Sequence, residues 1–397
     1  MALNPQILTW ARETADLSID EAAHALKFKD TRDRTAAERL RAMEAGEEEP
    51  SRSVLRSMAK LYHRSLLVFY LSEPPRTGDR GQDFRRAPGK QPPEYDPRLD
   101  ALIRDIRGRH GVVKDLLQQT EPRRVAYVAS VTMNVPPVDL ARRMTVDLGF
   151  SLDEFRQQPN VPAAFTYLRG KVEASGAFVL LLGNLGSYHT NIPSGVFRGY
   201  AIADPIAPFI VVNDQDAPVA WAFTVLHEFT HLWLGTTGVS GGGTDTQIEA
   251  YCNSVAGEIL LPDRDMNELR SLGRASFQET ITAIARFAGD WKVSRPMVAY
   301  KLLRVNIITQ ARWRELDKHY KDEWEAATAQ PGVKREKDGG PSYYVLRRHR
   351  LGQALLDLVR NSLAEGFLTH TKAGQVLGVK PRNVDPLIYI AGMRGSQ

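Results

Sequence analysis

The stretch Val225-Leu226-His227-Glu228-Phe229-Thr230-His231-Leu232-Trp233 sets two histidines four residues apart, with a glutamate directly after the first. On an α-helix, residues i and i+4 stand one turn apart on the same face, so both imidazoles can direct a nitrogen at one ion. Glu228 sits beside that pair. Its carboxylate is poorly placed to be a third ligand but can take a proton from a water on the metal. The flanks fit a helix: Asp216 before Ala217-Pro218 reads as an N-cap with proline in the first turn, and Gly235 as the glycine that ends it. Trp221, Val225, Leu226, Phe229, Leu232 and Trp233 make the segment apolar nearly all round, which places it inside a core where polar groups need partners. The plain alternative is an amphipathic helix that carries two histidines by accident.

A hydrolytic zinc site of this kind takes three protein ligands and leaves the fourth position to water, so a further ligand is expected downstream. Glu249 is the candidate. It opens a second helical stretch, 247–262, after the Gly-rich turn 235–243 that lets the chain reverse and the two helices face each other. Asn253, one turn on, is placed to hold a ligand histidine from behind. A competing reading makes Glu249 the partner of Thr246 in a capping box, although Thr244 with Gln247 could cap the helix instead. Glu258 is the fallback ligand, and otherwise a buried or interface carboxylate.

His-Glu-Phe-Thr-His at 227–231, followed by Glu249-Ala-Tyr-Cys-Asn253-Ser-Val-Ala256-Gly-Glu-Ile-Leu260-Leu-Pro262, resembles the ImmA/IrrE family of metallo-endopeptidases. That family's signature is H-E-x-x-H and then E-x-x-x-N-x-x-A-x-x-x-L-x-P, and the resemblance spans roughly 178–308. It implies His227, His231 and Glu249 as ligands, Glu228 as general base, and a cut-down, gluzincin-like zincin fold. It also implies zinc as cofactor and an association with cleavage of DNA-binding repressors. Many members carry an N-terminal Cro/repressor-type helix-turn-helix.

The chain has 397 residues, a net charge of +5 and the apolar fraction of an ordinary globular protein, which suits two or three domains. No apolar run is long enough to span a bilayer, and the first residues lack the pattern of a signal peptide, so the expected location is the cytoplasm. The single cysteine, Cys252, excludes an internal disulfide and reads as a small buried apolar residue.

Residues 1–72 read as short helices near 5–14, 18–26, 35–45 and 53–71, an order similar to a repressor-type helix-turn-helix. Arg34, Arg39 and Arg41, with Lys27, Lys29 and Arg32, are candidate nucleic-acid contacts, but Asp30, Asp33, Glu38, Glu44 and the run 47–49 offset them. DNA binding and protein docking are equally compatible with that balance. A Pro- and Gly-rich linker follows at 73–98, then a zincin-like domain at 99–325 braced by helices near 99–119 and 139–148. Short apolar runs at 178–182, 200–203 and 209–213 read as a small sheet whose edge strand could accept an extended peptide by strand addition. Tyr188 or His189, in the intervening loop, is a candidate oxyanion stabiliser. Helices near 276–287, 295–304 and 307–314, a second linker at 326–342 and a basic helical C-terminal domain at 343–397 complete the chain.

The expected fold is therefore α+β and mostly helical, a minimal zincin-like domain with a small sheet flanked by helix-turn-helix-like domains. The expected function is a zinc-dependent endopeptidase acting on a regulatory protein such as a repressor, with manganese or iron as other metals suited to two histidines and one glutamate. The rival class is a DNA-binding regulator or antitoxin-like protein that uses the peptidase fold as scaffold or sensor.

Overall fold

The computed structural model describes residues 3–75, 82–83, 96–120, 123–240, 246–329 and 342–389. By internal contacts the chain forms two units, one of residues 1–80, 94–106 and 184–190, the other of 81–93, 107–183 and 191–397.

The first unit contains α1 (Pro5–Glu13), α2 (Ile19–Ala25), α3 (Ala36–Ala45), α4 (Arg52–Leu61) and a 3-10 turn at Leu66–Tyr70. Ser18 with Glu21, and Thr35 with Glu38, each form a reciprocal capping box, satisfying the first N–H groups of α2 and α3. Ile7, Leu8, Leu40, Met43, Leu55, Met58 and Phe69 close a small core. The amphipathic pair expected over 53–71 is α4 and the 3-10 turn, divided near His63, whose φ of 52° lies in the left-handed region. α5 (Pro97–Thr120) is shared between the units, its boundary falling at residue 106.

In the second unit the sheet is mixed, in the order β1-β5-β3-β4-β2. The strands are β1 (Gln82–Asp83), β2 (Phe178–Leu181), β3 (Gly199–Ile202), β4 (Phe209–Val212) and β5 (Gly238–Ser240). β3 runs antiparallel to both neighbours, with Gly199 opposite Val212 on one side and Ser240 on the other. Every residue of β2, β3, β4 and β5 is buried. The apolar runs at 178–182, 200–203 and 209–213 thus become strands, but β5 lies in a stretch whose glycines suggested only a turn. The linker foreseen at 73–98 also supplies β1, which pairs in parallel with Gly238 and Val239. The edge expected to receive an extended peptide is occupied there by the chain itself.

α6 (Pro137–Asp147), α7 (Leu152–Gln157) and α8 (Val161–Ala174) precede the sheet, and α7 and α8 had no counterpart in the sequence reading. α9 (Pro218–Leu234) packs on β3 and β4, with α8 and α10 (Gln247–Leu260) against its other sides. This explains an unbroken buried run from Thr224 to Trp233. Val225, Leu226, Phe229 and Leu232 are at most 1% exposed, each burial worth roughly 1.5–3 kcal/mol. The N-cap is Ala217 rather than Asp216, because the Asp216 carboxylate accepts only from the adjacent Ala217 N–H, at 2.8 Å, and does not reach into the first turn. At the other end Gly235 takes φ 70°, and the Leu232 and Trp233 carbonyls accept from the N–H groups of Ala129 and Val131.

The remaining helices are α11 (Phe277–Trp291), α12 (Arg295–Arg304), α13 (Gln310–Ala329), α14 (Tyr343–Leu351), α15 (Gln353–Ala364), α16 (His370–Leu377) and α17 (Val384–Tyr389). α13 carries the chain through the start of the second foreseen linker, whose residues 330–341 lie outside the described ones. Residues 343–389, expected as a separate domain, belong to the same unit as the sheet, with α14 and α15 packed on β2. The physical reason is a buried ion pair. Arg169 on α8 bonds Glu173 at 3.0 Å and donates to the carbonyls of Val179 and His349, while Glu173 accepts from the N–H groups of Gln353 and Ala354 at 3.1 and 3.3 Å. Glu173 therefore caps α15 from another element.

Replacing one member of a buried pair strands the other, at a cost of about 3–5 kcal/mol. Arg169→Met is expected to lower the thermal midpoint of the whole second unit and to expose α14 and α15 to protease. A midpoint that stays put while only the C-terminal helices are clipped would mean that they form an independent domain after all.

Candidate metal centre

Helices α9 and α10 bring their functional side chains to one buried point. His227 Nε2 and His231 Nε2 are 3.2 Å apart, Glu249 Oε1 is 3.1 Å from His231 Nε2, and Glu249 Oε2 is 3.4 Å from His227 Nε2. Glu228, His231 and Glu249 are fully buried and His227 is 5% exposed.

The opposite ring nitrogens fix the tautomers. His227 Nδ1 lies 2.9 Å from Asn253 Oδ1, which can only accept, so the proton is on Nδ1. His231 Nδ1 lies 2.9 Å from Thr236 Oγ1, and the Thr236 hydroxyl donates to the His231 carbonyl, leaving its lone pair for the ring N–H. Both Nε2 lone pairs consequently face each other and a carboxylate, with no proton between them. Such a set of donors repels itself unless a positive charge sits in its midst.

The titration behaviour points the same way. Burial works to lower the basicity of His227, yet the adjoining carboxylates of Glu249 and Glu228 outweigh it and hold the ring above its ordinary value. Burial would raise Glu249, but its hydrogen bonds to the two histidines bring it below the usual carboxylate range. The centre thus favours a positive charge among its donors. His231 is pushed down by burial to about 4, which keeps it neutral and able to ligate. The residues fit a divalent metal held by two imidazoles and one carboxylate.

Glu228 behaves differently from Glu249. Among the described residues neither of its oxygens is within hydrogen-bond distance of a partner, and burial, opposed by the His227 ring and helped by the Glu249 carboxylate, raises it to about 8. A carboxylate with that affinity for protons, next to a metal, is suited to general-base work near neutral pH.

Glu249 takes part in the cap through its backbone and faces the imidazoles with its side chain. Thr246 is the N-cap of α10 and its hydroxyl accepts from the Glu249 N–H at 3.3 Å, while the Glu249 side chain turns away from the cap towards the imidazoles. Thr244, the other proposed cap, lies outside the described residues. Glu258 is elsewhere, bonded to Lys301 at 3.0 Å, so it is a structural carboxylate. Asn253 takes its expected place behind His227.

Sequence reading missed two contributors, Ser240 and Gly199, and read Cys252 as a small buried apolar residue without placing it at the site. Ser240 in β5 is buried, with its hydroxyl 3.4 Å from both His231 Nε2 and Glu249 Oε1. Gly199 in β3 lies under the Glu228 side chain. His227, His231 and Cys252 also form a group whose donor atoms all lie within 4.8 Å of one another, so the thiol borders the site. The signal for Cys252 was its position three residues after Glu249 on the same helix. Burial holds its thiol well above the ordinary range, in keeping with a neutral, apolar role, and Glu249 lies 3.1 and 3.4 Å from the two rings.

The other candidates are placed in the first unit. Tyr188 and His189 begin a one-turn 3-10 helix, Tyr188–Thr190, within the segment that groups with that unit, and His189 is exposed. Arg34 and Arg39 face Glu48, at 3.7 and 3.1 Å, and Arg39 also lies over the Phe28 ring, whereas Arg41 is exposed. Residues 26–35 separate α2 from α3, against about three or four in a compact helix-turn-helix.

The fold and site together define a mostly helical α+β protein with a buried centre of two histidines and a glutamate on adjacent helices. Residues 187–303, which contain every residue of that centre, match the family model of the IrrE N-terminal-like domain, Peptidase_M78. This points to a peptidase acting on protein, with a metal-dependent site. No curated protein and no solved structure matches the chain. Among the described residues, no helix is long and apolar enough to cross a membrane.

Metal analysis of purified variants tests the ligand set. His227→Ala, His231→Ala and Glu249→Ala are each expected to lose the metal, while Glu258→Ala and Cys252→Ser keep one ion per chain. Retention in Glu249→Ala together with loss in Cys252→Ser would make the thiol the third ligand.

Proposed function

We propose that the chain is a zinc-dependent endopeptidase that cleaves a specific regulatory protein, a DNA-binding repressor being the substrate that the resemblance favours. The observation that carries the reading is the division of labour between the two buried carboxylates: Glu249 is bonded to the imidazoles, whereas Glu228 has no hydrogen-bond partner among the described residues and is raised to about 8. A purely structural site has no use for the second.

His227, His231 and Glu249 would hold the ion, with Asn253 and Thr236 fixing the two rings. When bound, the ion supplies Lewis acidity, lowering the pKa of a water and polarising the scissile carbonyl. Glu228 accepts a proton from the attacking water at a carboxylate oxygen. It then delivers that proton to the leaving amine nitrogen, so the side chain ends the cycle as it began. The apolar packing of α9 on the sheet excludes bulk water and strengthens each charge interaction at the centre. Manganese or iron suits the same ligands.

The N-terminal helices are proposed as the recognition module. The pairing of Arg34 and Arg39 with Glu48 favours a protein partner over a phosphate backbone for that face. The free thiol of Cys252 is consistent with action in the reducing cytoplasm.

Glu228→Gln keeps size and hydrogen-bonding capacity but cannot take a proton, so it should fold, bind one metal ion and lose about 10²–10⁴-fold in hydrolysis. Comparison of cellular protein fragments between wild type and Glu228→Gln would identify the substrate. Full regulatory output from Glu228→Gln, with damage confined to Arg39→Ala or Arg41→Ala, would establish the scaffold or DNA-binding alternative instead.

A further inference from the structure

We propose that Gly199 is the positioning residue of Glu228, and that the side chain missing from β3 is the space in which the catalytic carboxylate lies. The inference rests on Glu228 serving as the base. A Cβ built on Gly199 would stand 2.1 Å from Glu228 Oε1, 2.6 Å from Cδ and 2.7 Å from Cγ, far inside van der Waals contact. It is therefore the whole end of the side chain, and not its tip alone, that rests on the strand. Glu228 is fully buried, so it has no solvent-filled space into which to swing.

The backbone does not ask for glycine at this position. Gly199 is absent from the glycines with positive φ, and it sits in a regular antiparallel ladder opposite both Ser240 and Val212. Any L-residue could adopt that conformation. Because the strand is paired on both sides, it cannot retreat to make room for a methyl group. The one thing that glycine provides at 199 is clearance for Glu228.

The consequence is chemical. Lying along the strand, the Glu228 carboxylate is kept out of the hydrogen-bonded ring of His227, His231 and Glu249, with neither oxygen spent on a hydrogen bond. On the other side of the same ladder pair, the Ser240 hydroxyl reaches Glu249 Oε1 at 3.4 Å. The pair Gly199 and Ser240 thus forms a floor with a vacancy beneath the base and a donor beneath the ligand.

The test is a double-mutant cycle read by thermal unfolding and metal content. Gly199→Ala should lower the midpoint by roughly 3–10 °C where Glu228 is present and by almost nothing in a Glu228→Ala background, since removing the carboxylate removes the clash. Both single variants should retain one metal ion per chain. Against fluorescein-labelled casein, Gly199→Ala should lose at least tenfold in kcat with KM unchanged. Equal midpoint shifts in the two backgrounds, or full hydrolysis in Gly199→Ala, would overturn the proposal. Should Gly199→Ala fail to accumulate as folded protein, the double variant decides: it folds if Glu228 is the obstacle and fails if the strand itself needs glycine. The midpoint readout does not depend on turnover, so coupling in a protein whose cellular protein fragments are the same in wild type and Glu228→Gln would locate the failure in the peptidase reading rather than in the placement of Glu228.

Discussion

Two carboxylates and two imidazoles lie within a hydrophobic core, where an unpaired charge costs far more than in water. The rest of the second unit is arranged around that cost. The imidazoles are oriented from behind by Asn253 and Thr236, so that their lone pairs converge on Glu249 and leave a place for a cation. Glu228, on which burial outweighs the opposing influence of the His227 ring, has its proton affinity raised to about 8. Stability and chemistry are in tension at this point: the arrangement that leaves Glu228 poorly solvated is also the one that makes it a competent base.

Rigidity around the centre comes from the elements packed on α9. α9 is clasped by β3 and β4, α8 and α10, and its last carbonyls are satisfied by the segment carrying Ala129 and Val131. α8 in turn ties the C-terminal helices to β2 through Arg169 and Glu173. The C-terminal helices therefore brace the edge of the sheet whose middle strand supports Glu228. A chain of packed elements runs from residue 354 to the metal centre without any of the C-terminal residues entering the chemistry.

The sheet explains why the site is closed. β2 is covered by α14 and α15, and β5 is paired over Gly238 and Val239 with β1. An extended peptide that adds to β5 has to take the place of that short strand, which has only two residues of ladder to lose.

Much of the centre was legible in the sequence because it is local. The i, i+4 spacing of His227 and His231, the adjacent Glu228 and the one-turn step from Glu249 to Asn253 all follow from helical geometry within short segments, and α9 and α10 are helices as that pattern required. Glu249 was left between ligand and cap because spacing alone does not say which way a side chain turns; in the fold its backbone serves the cap while its carboxylate faces the two imidazoles. What only tertiary structure decided is non-local. Nothing near Gly199 in sequence announces that a helix laid across β3 brings Glu228 down upon it, and the glycines before Ser240 hid a strand because three residues carry too little periodicity to be seen. The C-terminal helices looked separate because their linker is rich in Pro, Gly and charge, whereas their attachment rests on a buried ion pair between residues 169 and 173 and a helix end about 180 residues away. Local periodicity determined which helices form and which side chains share a face; the packing of distant segments decided which polar groups meet, and therefore which carboxylate faces the imidazoles and which one lies apart on the strand.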